Sequence, residues 1–405
     1  MTLLDEAQVR IRAVLAELAE GAGERDLSGE HPYEQVRALA EAGFGRLRVP
    51  AEFGGFDVSL PELFEFLAEA GQADSNIPQI WRGHFTTTEI LRAEPDDRVR
   101  ARWLGAIGAG AVFGNAQSEP APAVVAAPDP APWGTISTRV RTEPGGRLLV
   151  SGAKFYSTGA RFADYIRAAV VDEAGDRVFV VVPARHPGVT HVDDWDGIGQ
   201  RQTGSGTTLF DDVPVAELGA VGRDRGSLRG LDSFVQIVHL ANLAGIARAI
   251  VAETVGVVRD RTRTSLHALS PAAALDPEVL GVVGTLQARR LTADALLRHA
   301  ADRLEAAHRS GDEADFTLAY QDTSAAQIGV IEAVLDAATT AFNAGGSSAV
   351  RNRAHLDRHW RNARTLASHN PVVYKPRIVG DHLVNGTAPV PAYYRGRPAA
   401  AAESR

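Results

Sequence analysis

The stretch Arg361-Asn362-Ala363-Arg364-Thr365-Leu366-Ala367-Ser368-His369-Asn370-Pro371 closes the last long helical pattern in the chain. Proline has no backbone N–H and restricts the residue before it, so the helix ends near His369 and Asn370. Upstream, apolar residues recur at helical spacing over residues 232–262, 277–310, 313–343 and 352–368. Long amphipathic helices in series bury their stripes against one another, which predicts a four-helix bundle and tail over residues 229–405.

Ahead of the bundle the period shortens. Arg147-Leu148-Leu149-Val150, Ile166-Arg167-Ala168-Ala169-Val170-Val171 and Val178-Phe179-Val180-Val181-Val182 are short, rich in β-branched residues and separated by turns such as Gly145-Gly146, Ser151-Gly152 and Ala174-Gly175-Asp176. They predict a middle β domain, a barrel or sandwich, over residues 111–228. Residues 120–132 are Ala/Pro-rich with little hydrophobic patterning and read as a mobile loop. Within residues 1–110, Val9-Ile11-Val14-Leu15-Leu18 and Val36-Leu39-Ala40 keep helical spacing. Leu47-Arg48-Val49-Pro50-Ala51-Glu52-Phe53-Gly54-Gly55 reads as a helix stop and tight loop, with another helix over 60–73. The fold class is α+β, in the order helical domain, β domain, bundle.

With 405 residues, 45% of them hydrophobic, the chain can bury a large core divided among several units, because single cores stop growing at roughly 250–300 residues. Its net charge of −8 argues against sequence-independent nucleic-acid binding. No apolar run reaches the roughly 18 residues of a membrane span, and charges occupy the amino end where a secretory signal would be hydrophobic. No membrane partner is expected, and the cytoplasm is the expected location. The absence of cysteine excludes disulfides, thiolate nucleophiles and iron–sulfur clusters, so redox chemistry would need a bound cofactor. Arginine far outnumbers lysine, and the clusters at 259–263 and 351–364 are either solvated faces or phosphate contacts. His355 and His359 stand i, i+4 without a third ligand and read as helix surface, so no metal site is expected. His239, inside the apolar run 237–243, reads as a satisfied core histidine.

Several stretches, in order, resemble the acyl-CoA dehydrogenase family over nearly the whole chain. Residues 47–55 resemble its L-x-V-P-E-x-x-G-G loop, and Gly114-Asn115-Ala116-Gln117-Ser118-Glu119-Pro120 its flavin-contacting A-x-T-E-P-G segment. Leu149-Val150-Ser151-Gly152-Ala153-Lys154-Phe155-Tyr156-Ser157-Thr158-Gly159 is similar to L-N-G-x-K-x-W-I-T-N-G, and Thr207-Thr208-Leu209-Phe210-Asp211-Asp212-Val213-Pro214 to x-x-F-E-D-V-x-V-P. The closing stretch resembles the signature R-D-A followed, after a short spacer, by E-G, but Asn370 stands in place of the catalytic glutamate. An amide has no accessible basic lone pair at neutral pH and cannot take the α-proton of a thioester. The alternative glutamate position of the family falls at Val235, and no Glu occurs between Asp232 and Glu253.

Residues 194–207, Asp194-Trp195-Asp196-Gly197-Ile198-Gly199-Gln200-Arg201-Gln202-Thr203-Gly204-Ser205-Gly206-Thr207, look like the D-W-D-x-x-G-Q-R-x-T-x-S-G-T segment of the two-component flavin monooxygenases on this fold, the dibenzothiophene monooxygenase group. That resemblance implies reduced FMN, or alternatively FAD, delivered by a separate NAD(P)H:flavin reductase. It further implies reaction with O2 to a C4a-(hydro)peroxyflavin, and oxygenation of a small organic substrate at sulfur, nitrogen or an aromatic carbon. A homo-oligomer, as a tetramer, is implied as well. The runner-up is an FAD-dependent acyl-CoA dehydrogenase with an unrecognised base; a scaffold that has lost its site is a further alternative.

On this reading His369, beside Asn370, is the replacement group, since imidazole titrates near neutrality and can accept or donate a proton. Asn115, Gln117, Ser118 and Ser157 would border the flavin, with Ser157 equally readable as a turn cap. Phe155 and Trp195 would wall the ring or the substrate against water, or simply pack the core. His84 is a candidate pocket histidine. Arg261 lines up with an arginine that meets a flavin phosphate in a neighbouring subunit, with Arg259 and Arg263 as alternatives, and Gly345-Gly346 corresponds to the loop that contacts the neighbour's cofactor.

Overall fold

The computed structural model describes residues 2–119, 136–218 and 229–389. The expected loop over 120–132 therefore lies outside the described residues. The amino-terminal layer comprises α1 (Leu3–Glu20), α2 (Ala22–Ser28), α3 (Tyr33–Ala42), α4 (Leu60–Ala73), α5 (Asn76–Arg92) and α6 (Asp97–Gly108). Thr2 and Asp5 close a reciprocal capping box on α1, and Ser59 and Glu62 do the same on α4. Apolar spacing sends Ile11, Leu15 and Leu18 of α1 and Val36 and Leu39 of α3 into one core, while Val9 is left 65% exposed.

The middle region is a single sheet built from β1 (Phe113–Ala116), β2 (Arg139–Thr142), β3 (Leu148–Lys154), β4 (Tyr165–Val171), β5 (Arg177–Pro183), β6 (Val189–His191), β7 (Thr208–Pro214) and β8 (Glu217–Leu218). Its order is β6-β7-β3-β2-β4-β5-β8, with β1 parallel to β4. Val150, Ile166, Ala168, Val170, Val180 and Phe210 form its own apolar core. β7 alternates buried and exposed residues, whereas β4 is buried almost throughout.

The carboxyl-terminal half is α7 (Leu231–Asp260), α8 (Pro277–Ser310), α9 (Glu313–Gly345), α10 (Asp357–His369) and α11 (Lys375–Asn385). α7 is apolar enough over one window to cross a bilayer by composition (mean hydropathy 1.6), but 89% of that window is buried inside the protein. It packs on α4, α5, α8, α9 and α10, which explains why its apolar residues show no single stripe. The last bundle helix starts later than the pattern over 352–368 suggests. Residues 352–354 form a 3-10 turn and His355 takes a left-handed φ of 53°, so the helix opens at Asp357. His355 and His359 therefore share no helix face, and His359 is buried rather than surface, a correction to the sequence reading.

Candidate active site

The segment 194–207 is fixed from three sides. Asp194 accepts the Thr207 N–H at 2.6 Å and the Thr207 hydroxyl at 2.7 Å, closing the loop on itself. Asn76, at the start of α5, donates to Gln202 Oε1 (2.8 Å), and the Gln202 N–H returns to Asn76 Oδ1 (3.3 Å). The Gln200 N–H donates to Asn362 Oδ1 of α10 at 2.6 Å. This last bond ties the loop between β6 and β7 to the helix that carries His369. Asn362→Ala leaves a buried N–H without an acceptor and is expected to cost about 1–3 kcal/mol. Asn362→Asp, which keeps the acceptor, should cost less; urea unfolding of both variants measures the difference.

Residues 80–83 of α5 lie against both the loop after β3 and β1. Gly159 has φ 80°, and a Cβ there would lie 2.4 Å from the Ile80 carbonyl oxygen, so only glycine lets the loop after β3 seat on α5. Gly83 does the same for β1: a Cβ on it would lie 2.8 Å from Asn115 Cβ. Next to Asn115 and Gln117, Ser118 bridges to Phe155, whose N–H donates to the Ser118 carbonyl at 2.9 Å. Asn115, Gln117 and Phe155 are half-buried and Ser118 is exposed. Ser157 is fully buried, and its Oγ has no hydrogen-bond partner among the described residues. Trp195 is half-buried, spends its indole N–H on Gly199 O (3.2 Å) and packs edge-on against Tyr156 at 5.9 Å. Tyr156 takes a positive φ of 57° and also packs against Phe155, the rings tilted by 60° with centroids 4.6 Å apart.

His369 is the last residue of α10, and its ring lies 4.3 Å from that of His239 on α7. Its residue stays exposed at the helix end although protein atoms crowd around the ring. Burial, then the Arg82 guanidinium, holds its pKa below the ordinary histidine value. His239 is pushed well below that value by burial, by His369 and by Arg82. Both rings are thus neutral at physiological pH, each with one donor and one acceptor nitrogen. The sequence reading of His239 as a satisfied core residue is corrected here, because neither ring nitrogen has a hydrogen-bond partner among the described residues.

His84 is also corrected. It is fully buried, its Nε2 donates to Gly45 O (2.9 Å), and its Nδ1 accepts the Phe113 N–H (3.2 Å). With both nitrogens committed, it braces α5 against β1 from behind the wall and is not available to a substrate.

The chain matches the acyl-CoA dehydrogenase amino-terminal domain over residues 6–111, the middle domain over 131–213 and the carboxyl-terminal domain over 237–374. It is 30% identical over 91% of both chains to a dibenzothiophene monooxygenase of Rhodococcus qingshengii. It is 28% identical to a probable FMNH2-dependent monooxygenase of Pseudomonas putida, over 95% of this chain and 96% of that one. The FMN-bound structure of TdsC from Paenibacillus sp. A11-2 superposes with a TM-score of 0.85 at 25% identity, covering 96% of this chain and 99% of the other. This protein is a flavin-dependent monooxygenase of the acyl-CoA dehydrogenase fold.

The residues present suit the flavin that such a monooxygenase needs. A buried hydroxyl without a partner (Ser157), half-buried amides (Asn115, Gln117) and an aromatic cluster (Phe155, Tyr156, Trp195) line the β-domain side. Asn370, the C-cap of α10, brings no carboxylate. The nearest carboxylates on α7 do not replace it. Glu253 stands about 21 Å along the helix from His239, held by His359 (2.9 Å) and Arg358. Although burial would raise it, those partners bring its pKa down to about 2, so it is a poor base. Asp232 lies about 10 Å along α7 in the other direction, beyond hydrogen-bond reach of the histidine pair.

Arg261 follows the end of α7 and donates to Ala344 O at 2.9 Å, with its Nη2 beside Gly346. The structure thus brings Arg261 and Gly345-Gly346 together. They stand about 33 Å along α7 from His239, too far to share one isoalloxazine site within the same chain.

Proposed function

We propose that this monooxygenase is the oxygenase of a two-component system that takes reduced FMN from a separate NAD(P)H:flavin reductase and inserts one oxygen atom into a small organic substrate. Reduced FMN, when bound, supplies two electrons and the ring at which O2 is activated; one oxygen atom enters the substrate and the other leaves as water. The observation that carries the reading is the end of α10, where Asn370 stands in the place a dehydrogenase gives to a carboxylate and a neutral imidazole, His369, directly precedes it.

The chain's own residues then have definite tasks. Asn115, Gln117, Ser118 and the Ser157 hydroxyl hold the flavin edge by neutral hydrogen bonds, which orient it without adding charge. Phe155, Tyr156 and Trp195 exclude water. His369 offers a lone pair or an N–H to the reacting oxygen, and Asn370 supplies a neutral neighbour. Arg261 and the Gly345-Gly346 turn, about 33 Å away along α7, serve the flavin of a neighbouring subunit, which requires at least a dimer and fits a tetramer. A cytoplasmic location, where NAD(P)H is supplied, is part of the same proposal.

Oxygen uptake with a flavin reductase, FMN and a panel of sulfides, amines and phenols tests the reading. We expect FMN-dependent uptake that yields an oxygenated product from at least one class. Anaerobic bleaching of bound flavin by acyl-CoA, with no reductase present, would instead establish the dehydrogenase.

A further inference from the structure

Three residues on one face of α7, Asp232, Gln236 and His239, follow one another at i, i+4 and i+7. Gln236 and His239 are buried in the bundle, and Asp232, in the first turn, is half-buried. Gln236 Oε1 accepts from Gln327 Nε2 of α9 at 2.8 Å, in a buried bond. The far oxygen of Gln327 and the hydroxyl of Ser324, one turn earlier on α9, have no partner among the described residues, and neither does either nitrogen of His239. Asp232 has Lys375 as its facing charge, and burial raises its carboxyl to about 6. The core next to His369, between α7 and α9, therefore holds several buried hydrogen-bonding groups without partners among the described residues.

Each such unpaired group costs about 1–3 kcal/mol in an empty core. A core histidine retained for packing alone would be replaced at a gain by phenylalanine or leucine. The cost is offset if the groups meet a ligand with complementary donors and acceptors. Resting on the monooxygenase reading, we infer that His239 is a specificity-determining residue and that the substrate is a neutral, polar molecule whose adjacent donor and acceptor bind His239 and the Gln236–Gln327 pair while its reacting atom faces His369. The neutral imidazole supplies one N–H and one lone pair, and the glutamine pair supplies the remaining acceptor. A flat hydrocarbon-like heterocycle such as dibenzothiophene leaves all of them unpaired, and sites built to hydrogen-bond reject analogues lacking the group.

The test uses two fragments of similar size, benzamide and toluene, which differ in carrying a donor and acceptor. Binding to the FMN-loaded enzyme is followed by ligand-observed NMR. Wild type should prefer benzamide by at least about tenfold. His239→Phe should lose that preference without losing toluene binding, and His239→Gln, which keeps a donor and an acceptor, should retain most of it. Because the variant removes unpaired polar atoms, the melting temperature of His239→Phe should hold or rise. Equal binding of the two fragments by wild type would overturn the inference. So would a preference unchanged in His239→Phe together with a marked fall in melting temperature, the behaviour of a histidine that only packs the core or holds buried water. Failure of the monooxygenase reading would show separately, as an absence of O2 uptake with reduced FMN whatever the fragments do.

Discussion

His369→Ala should uncouple the enzyme: reduced FMN is still oxidised, but hydrogen peroxide leaves in place of oxygenated product. A positioned acid or base group of this kind contributes about 10²–10⁴-fold to the step it serves, so product formation should fall by that order while flavin consumption changes far less. The structure sharpens what the imidazole does. Burial and the Arg82 charge depress its pKa, so the ring enters the reaction neutral, able to pass a hydrogen bond through one nitrogen and accept at the other. A group depressed below 6.5 stays neutral at every pH above that value and gains a proton only below it. Coupling should therefore be flat from neutral to alkaline pH and fall only as acid protonates the ring. Peroxide release per flavin oxidised, measured across pH for wild type and His369→Ala, checks both points. A wild-type acid limb centred above 6.5, or unchanged coupling in the variant, would remove His369 from the chemistry.

His369 was legible because its neighbours are: the Arg361-to-Pro371 stretch marks the end of a helix, and Asn370 marks the missing base. Its partner was not. His239 sits in a helix apolar on all sides, so periodicity gives no face, and the direction of its ring depends on how α7 is rotated against α5, α9 and α10. The role of Arg82 is hidden in the sequence for a related reason, since its charge matters only once the fold brings α5 near His239 of α7 and His369 of α10. His84 illustrates the converse. Its place in the sequence suggests a pocket, but its two ring nitrogens are satisfied by Gly45 and Phe113, groups brought near it only by the packing of α5 on β1. The pairing of Arg358 and His359 with Glu253 likewise needed the antiparallel run of α10 along α7. Helix and strand existence was set by local spacing and turns, whereas the polar contacts inside the bundle were set by tertiary rotation.

Glu119→Ala should unseat the edge of the sheet that carries the candidate flavin site. Lys154, the last residue of β3, has a side chain with 0% exposure, and its ammonium meets Glu119 Oε1 at 2.7 Å. The same carboxylate accepts the Ser137 N–H and hydroxyl (2.7 and 2.6 Å) and the Thr138 N–H (3.0 Å). Burial would raise Glu119, but Lys154, Ser137 and Thr138 together bring it down to about 2. Immediately beyond this pair, Ser118 and Phe155 make the bridge that lines the candidate flavin site. Removing only the carboxylate strands a buried cation, which costs about 3–5 kcal/mol, and should weaken FMN binding through the displaced bridge. Replacing both partners, Glu119→Leu with Lys154→Met, takes the charges out together and should recover the share due to the stranded cation, while the Ser137 and Thr138 donors stay without the carboxylate. The pH dependence has a fixed sign: a carboxyl lowered from 4.5 to about 2 contributes stability that is complete above 4.5 and is lost as pH falls toward 2. Wild type should lose stability through that window, and Glu119→Ala should lack this share of the acid sensitivity. Urea unfolding of wild type, the single variant and the double variant at a series of acid pH values measures it; a single variant within about 1 kcal/mol of wild type at neutral pH would show that the strut does not hold the edge.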